Sequence, residues 1–321
     1  DSYELVGLSG TSGGAVCAFA AWVGLARGGP DDGRGEARRL LAQVWDDLAA
    51  DTPLDAAANA AGVGTARARG AGLPVPGVSP YDAPVAVWSR ETLWTILERV
   101  VEPEELAALV DREEPLPRLD IGAVDVQRGT FRTFTEREVT HDAVLASAAV
   151  PPLFRAAPVT QADGTTRWYW DGLFSQNPPL GDLLADAPDR VERADELWLV
   201  QINPQREDDR PTTLEAIADR RNELGGNLAV NQELRFLRQA NQWYADGHLT
   251  GGYRPIAVRT INLEEGRAFP SRTLDYATKL DRSPGFLARL REHGREQADR
   301  FLAASRVRRR VRRTVEGIWS G

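Results

Sequence analysis

The stretch ELVGLSGTSGGAVCAFA, residues 4–20, decides how the rest of the chain is interpreted. It starts with the strand-forming residues Leu5 and Val6, crosses a turn rich in glycine and serine, and continues into an alanine-rich apolar run typical of a helix. The turn, GTSGG at residues 10–14, fits the pattern G-x-S-x-G, which holds a nucleophilic serine on a sharp bend between a strand and a helix. The sequence therefore makes Ser12 a candidate nucleophile.

A glycine- and serine-rich turn before a helix also suits phosphate binding. The pattern G-x-x-x-x-G-K-[ST] is absent, and Gly7, Gly10 and Gly13 are spaced by threes, unlike G-x-G-x-x-G. The start of the helix presents unpaired N–H groups and the positive end of the helix dipole, which favour negative charge beside Ser12. An oxyanion could be stabilised there.

Composition indicates a globular protein of one large domain or two small ones. The chain has 321 residues, of which 42% are hydrophobic, and its net charge of −8 argues against general nucleic-acid binding. The lone cysteine, Cys17, excludes an internal disulfide framework and is interpreted as buried filler. The longest apolar run, residues 15–26, is too short to span a bilayer, and no signal peptide is found. A cytoplasmic location is expected from the lack of disulfides.

Helical and strand-like segments alternate along the chain, which predicts an α/β architecture with a largely parallel sheet. The N-terminal helix should stop at the sequence Gly28-Gly29-Pro30, and residues 56–85 should form a long irregular segment. The continuous apolar run ELWLVQI, residues 196–202, is typical of a central strand covered on both faces.

The C-terminal half is predicted to be mainly helical, with an extension at about residues 270–321. A helical region at 212–244 should be interrupted at Gly225 and Gly226. Its apolar side chains are expected to face the core: Leu228, Leu234, Leu237, Ala240 and Trp243. The last helix ends in RVRRRVRR, Arg306–Arg313, which is either a solvated face or a peripheral contact with anionic lipid head groups.

A serine nucleophile needs a base, and the chain offers three histidines and one well-placed aspartate. His141 and His293 are expected on the surface, whereas His248 is the histidine that suits a Ser…Asp…His order. Asp171 ends the aromatic strand-like run at 167–170 and is followed by Gly172. It is a candidate base, or else a turn residue. If the sheet is parallel, Ser12 and Asp171 both lie at carboxyl ends of strands, where active sites form.

Three motifs occur together in an order that resembles the patatin-like phospholipases. They are the Ser12 turn, ASAAVPPLF at residues 146–154, and WDGLFSQNPP at residues 170–179, and the resemblance extends to RRNELGGNLAVNQELRF at 220–236. It implies a single catalytic domain over 1–321 with a three-layer α/β/α fold related to the catalytic domain of cytosolic phospholipase A2. It further implies a Ser12–Asp171 dyad acting on phospholipids or other fatty-acyl esters without cofactor or metal. Gly10, Gly13, Gly14 and Gly172 would then form the bend and its oxyanion surroundings.

The sequence departs from the family pattern at two places. Asp171-Gly172 is followed by Leu173, where family members commonly have glycine or alanine. No counterpart of the family's N-terminal strand and glycine-rich oxyanion loop is found before the Ser12 turn. Two alternatives therefore stand beside the dyad hydrolase: a catalytically inactive lipid-binding or regulatory protein with the same fold, and a Ser-His-Asp esterase that uses His248.

Overall fold

The structure is a computed structural model of the 321-residue chain. It describes residues 3–82, 90–112, 116–151, 153–184, 194–207, 209–249, 253–263 and 274–319, with the side chains of 306–319 excluded. The predicted lipid contact at Arg306–Arg313 therefore lies outside the described side chains.

Seven strands and eight helices are present among the described residues. The strands are β1 (Gly7–Gly10), β2 (Arg118–Asp125), β3 (Thr130–Thr135), β4 (Ala157–Thr160), β5 (Thr166–Asp171), β6 (Glu196–Gln201) and β7 (Ala257–Asn262). The helices are α1 (Gly13–Leu48), α2 (Pro53–Gly70), α3 (Arg90–Val100), α4 (Pro103–Val110), α5 (His141–Ser147), α6 (Leu180–Leu184), α7 (Leu214–Ala245) and α8 (Pro284–Trp319). Short 3₁₀ segments occur at Gly172–Phe174 and Tyr276–Leu280.

The strands form two sheets, of which the larger is mixed in direction and the smaller is parallel. The five-stranded sheet has the order β1-β2-β5-β4, with β3 paired to β2 off this path, and β6 and β7 form the second sheet. Pairing is parallel at β1–β2 and β6–β7, as the alternating pattern predicted. The other three pairs are antiparallel. For β2–β3 and β4–β5 the cause is a tight turn, because such short connections allow no crossover.

Helices cover the larger sheet on both faces, giving the expected α/β class. On one face, α1, α3, α4 and α5 enclose the main core with alternate residues of β2, Leu119, Ile121 and Ala123, all of which are fully buried. On the other face, α6 contacts β1 and β2. Helix α7 packs with α6 and β6 around a second core, which contains Leu180, Leu197 and Leu234.

Two predictions about the N-terminal helices have different outcomes. The chain does break near Gly28–Pro30, because Gly29 has φ 59° and Pro30 follows, although the helix resumes at once and α1 continues to Leu48 as two segments across this kink. The irregular segment predicted at 56–85 is wrong for its first half, which is α2. Thr52 caps this helix by accepting the Asp55 N–H, and Pro53 occupies its first turn, where no intrahelical donor is needed.

Helix α7 and strand β6 also differ from expectation. Gly225 and Gly226 lie inside a continuous α7, and Gly226 lies where a Cβ would come within 2.7 Å of the Leu173 side chain. Leu234, Leu237 and Ala240 face the core as predicted, but Leu228 and Trp243 are exposed. Strand β6 belongs to a two-stranded sheet and leaves Val200 exposed, so it is not covered on both faces.

Candidate functional site

Ser12 lies on the bend between β1 and α1 with an unusual backbone conformation. Its φ of 59° and ψ of −129° make it the one non-glycine residue with positive φ among the described residues. Such angles cost about 1–3 kcal/mol in a residue with a side chain and persist where the surroundings enforce them. A Cβ on Gly10 would come within 2.3 Å of the Gly14 carbonyl oxygen, so glycine at position 10 lets the first turn of α1 fold back against β1.

Ser147, which is distant in sequence, holds the backbone of this bend in place. The Ser12 N–H donates to both the carbonyl oxygen and the Oγ of Ser147, each at 3.1 Å. The buried Ser147 hydroxyl in turn donates to the Gly122 carbonyl in β2 at 2.6 Å. The Gly14 N–H donates to the Thr11 carbonyl at 2.9 Å. The Gly13 N–H makes no hydrogen bond to any described residue.

Asp171 is the last residue of β5 and is fully buried. Its Oδ1 accepts the Leu173 N–H at 2.8 Å, whereas Oδ2 makes no hydrogen bond of good geometry with the described residues. Burial raises the pKa of Asp171 to about 7, an effect that the neighbouring Ser12 hydroxyl and the Leu173 N–H oppose. The carboxyl group thus has one oxygen held in place and the other available beside Ser12.

Ser12 and Asp171 are brought together by an antiparallel strand pair and not by neighbouring parallel strands. Strand β5 runs antiparallel to β2 and ends opposite Ala123, in the middle of β2, while β1 ends opposite Ile121. The carboxyl ends of β1 and β5 therefore approach the same point from opposite directions. Close contact is possible because residue 172 is a glycine, since a Cβ at this position would come within 2.6 Å of the Gly122 carbonyl oxygen.

Two side-chain hydrogen bonds fix the segment after Asp171 against β1. The Ser9 hydroxyl donates to the Pro179 carbonyl and the Thr11 hydroxyl to the Gln176 carbonyl, both at 2.9 Å. One bond starts on β1 and the other on the first residue after it, so together they set the distance between the Ser12 bend and the segment that follows Asp171.

A cavity of about 2140 Å³ contains both candidate residues in its lining. Apolar side chains from α1 and α3 form one wall: Val16, Leu41, Val44, Trp45, Leu48, Leu93 and Ile96. The edge strands β1 and β6 both border it as well. The space is large and apolar enough for a long hydrocarbon chain.

The sequence model of the patatin-like phospholipases matches residues 3–184, more than half of the chain and the part that contains the whole site. The chain belongs to the patatin-like phospholipase family. This domain identifies it with a family of lipid acyl hydrolases. Among solved structures, it is similar to VipD from Legionella pneumophila, with 14% identity, a TM-score of 0.30, and coverage of 92% of this chain and 60% of VipD. No functionally curated protein matches the chain.

The histidines of this patatin-like protein lie away from the candidate pair. His248 is exposed just after α7 and is not among the residues that line the cavity. His141 and His293 were expected on the surface, and that expectation is wrong. His141 is buried between Phe19 and Trp94 with its Nε2 at 2.9 Å from the Val101 carbonyl, and His293 Nε2 is 2.7 Å from the Leu263 carbonyl.

Other predicted features of the patatin-like domain are placed as follows. Gly13 and Gly14 are exposed and have open space where a Cβ would stand, so close packing does not require glycine there, unlike at Gly10 and Gly172. Burial raises the pKa of the Cys17 thiol to about 11, so little of the reactive thiolate forms at neutral pH. In the described part of the chain, no group of three or more His, Cys, Asp or Glu residues is arranged to hold a metal ion. None of the helices within the described ranges is long and apolar enough to cross a membrane.

Sequence reasoning missed three residues that hold the site together. Ser147 lies within the ASAAVPPLF motif, but the motif gave no reason to expect its contact with the Ser12 backbone. Thr11 lies inside the bend and ties it to Gln176. Gly122 had a visible signal, since an isolated glycine inside a strand often marks a close backbone approach.

Proposed function

We propose that the protein is a serine lipid acyl hydrolase in which Ser12 is the nucleophile and Asp171 its general base. The observation that carries this proposal is the buried Asp171 carboxyl beside the Ser12 hydroxyl, with a pKa raised to about 7 and one oxygen lacking a well-formed hydrogen bond. A carboxylate with an ordinary pKa near 4 is a poor base for a serine hydroxyl, and a pKa near neutrality improves the match.

The reaction would proceed in two steps. Asp171 Oδ2 accepts the hydroxyl proton while Ser12 Oγ bonds to the ester carbonyl carbon. The protonated Asp171 then gives that proton to the leaving alkoxide, so that an alcohol departs and an acyl-serine remains. Water repeats the sequence: Asp171 takes its proton, the hydroxide adds to the acyl carbon, and the proton returns to Ser12 as the fatty acid leaves.

Negative charge on the substrate oxygen would be met at the start of α1. The Gly13 N–H lacks a described partner and lies where the positive end of the helix dipole favours an anion. The Ser12 N–H is unavailable for this role because it bonds to Ser147.

A fatty-acyl ester suits the cavity better than a small polar ester does. Its wall from α1 and α3 is apolar, and burying each methylene of an acyl chain contributes about 0.8 kcal/mol to binding. The phospholipid class is supported by the family match.

The two alternatives are weaker. A triad through His248 is disfavoured because this side chain is exposed and does not line the cavity. A catalytically inactive lipid-binding protein would not need the strained φ at Ser12 or a buried carboxyl beside it.

The proposal is tested by hydrolysis of a chromogenic medium-chain ester by the full chain and by single variants. Ser12→Ala and Asp171→Asn should each lower kcat/KM by a factor of about 100 or more, since each removes a group that acts only in the transition state. His248→Ala is the matched control and should retain wild-type activity. In the wild type, kcat/KM should fall about tenfold per pH unit below about pH 7, because protonated Asp171 cannot act as a base.

Activity retained in Asp171→Asn but lost in His248→Ala would replace the dyad with the triad. A wild-type protein that binds phospholipid yet hydrolyses neither soluble esters nor phospholipids across chain lengths would establish the inactive lipid-binding alternative instead.

A further inference from the structure

Helix α7 has an apolar stripe on its solvent side. Six large apolar side chains of this helix are substantially exposed: Leu214, Ile217, Leu224, Leu228, Phe236 and Trp243. At about 100° per residue, they fall within an arc of about 120° that extends over the length of the helix. The opposite side of α7 already supplies the second core through Val230, Leu234 and Leu237, so the stripe is a separate apolar face.

The charges beside this stripe all have one sign. Every exposed charged residue of α7 is an arginine: Arg221, Arg235 and Arg238. None of the three forms an ion pair with a described residue. Three of the four acidic residues of the helix have partners on its inner side: Asp219 and Glu223 pair with Lys279, and Glu233 accepts the N–H groups of Leu180 and Gly181. The fourth, Glu215, is half-buried. A cationic face of this kind on a chain of net charge −8 is complementary to an anionic surface.

The buried side of α7, opposite the stripe, contacts the segment that follows Asp171. The 3₁₀ segment Gly172–Phe174 follows directly after Asp171 and packs against α7 at Gly226, through the Leu173 side chain. Leu173 lines the cavity, and the neighbouring Phe174 is itself exposed. The α7 residues that line the cavity also lie on this buried side, so the stripe faces away from the cavity that holds Ser12 and Asp171.

We propose that the exposed face of α7, from Leu214 to Trp243, docks the protein on anionic phospholipid bilayers. Exposed leucine, phenylalanine and tryptophan side chains enter the boundary between head groups and acyl chains, while arginines on the same face pair with lipid phosphates. Phe236 and Trp243, which contact each other edge to face, form the aromatic part of this surface. Docking requires no chemistry at Ser12, so it stands or fails independently of the proposed hydrolase activity.

Cosedimentation of the full chain with vesicles tests the proposal. Wild type should bind vesicles of phosphatidylglycerol and phosphatidylcholine at low salt, and bind pure phosphatidylcholine much more weakly. The double variant F236S/W243S should bind anionic vesicles at least tenfold more weakly, because it loses the burial of two large apolar side chains. The triple variant R221Q/R235Q/R238Q should also lose at least tenfold, since each arginine near the surface contributes about fivefold. Leu54→Ser is the matched control, because Leu54 is more exposed than either Phe236 or Trp243 but belongs to α2.

A second parent protein distinguishes vesicle binding by the α7 face from vesicle binding by the arginines near the C-terminus. The same variants are compared in a chain whose arginines between Arg306 and Arg313 are glutamine, and the α7 substitutions should again weaken binding by tenfold or more. The Tm of every α7 variant should stay close to that of the parent protein, which shows that the variants are folded whether or not the protein hydrolyses esters. Vesicle binding unaffected by either set of α7 substitutions would overturn the proposal. So would a wild-type dimer that F236S/W243S converts to monomers, because the stripe would then be an interface between two copies of the chain.

Discussion

At the scale of single residues, the candidate site combines a half-buried serine on a strained bend with a carboxyl group held in an apolar interior. Asp171 is stabilised in its proton-bound form by burial, so its folded-state pKa of about 7 lies above its ordinary value of 3.8. The native protein therefore binds more protons than the unfolded chain between about pH 4 and pH 7, and its stability falls as pH rises through that window. Burial of the Asp171 carboxyl therefore lowers the free energy of unfolding at neutral and alkaline pH.

Asp171→Asn should consequently stabilise the protein at alkaline pH. The amide oxygen can still accept the Leu173 N–H, but no buried charge forms. A shift from 3.8 to about 7 corresponds to about 4 kcal/mol, so the free energy of unfolding of the variant relative to wild type should rise by up to that amount between pH 4 and pH 8. Urea denaturation at both pH values measures it. An unchanged difference would mean that Asp171 has the same, ordinary pKa in the folded and unfolded protein.

At the scale of elements, the turn from β1 to α1 depends on glycine at one of its positions and not at another. Gly10→Ala should lower the free energy of unfolding by about 2 kcal/mol or more, because its Cβ would overlap the Gly14 carbonyl and the helix start would have to move. Gly14→Ala is the matched control. It has open space and lies within the first turn of α1, so it should be neutral or stabilise by up to about 1 kcal/mol. Equal destabilisation by both substitutions, measured by thermal unfolding, would contradict this account of the bend.

The same elements show what the sequence could and could not predict. The bend at Ser12 and the end of a strand at Asp171 were visible because glycine patterns and aromatic strand residues are local signals. Their closeness was expected from parallel strands, whereas the structure achieves it through an antiparallel β5. Pairing direction depends on which distant segments meet, and no local pattern carries that information. Leu228 and Trp243 were assigned to the core for a related reason, since helical spacing does not tell which apolar face the rest of the protein covers.

At the scale of the whole molecule, the N-terminal and C-terminal parts of the chain are joined by buried polar contacts. Asn59 in α2 donates to Asp281 at 3.1 Å and accepts the Arg282 N–H at 2.9 Å. The Ala50 N–H donates to the Arg282 carbonyl at 2.9 Å. These contacts connect residues beyond the matched 3–184 region to the helices within it, which favours the predicted single domain over 1–321.

If the chain is one domain, its unfolding should be a single cooperative transition that depends on this junction. Asn59→Ala would leave the buried Arg282 N–H without its acceptor, at a cost of about 1–3 kcal/mol, and should lower the single Tm by several degrees. Thr65→Ala, an exposed position on the same helix, is the control and should leave Tm unchanged or slightly raised. Differential scanning calorimetry of the wild type and both variants decides the matter: two separate transitions would contradict the single domain. One transition insensitive to Asn59→Ala would instead show that the two parts are held together by apolar packing, such as that of Val63 and Ala66 against Ala277, and not by the polar junction.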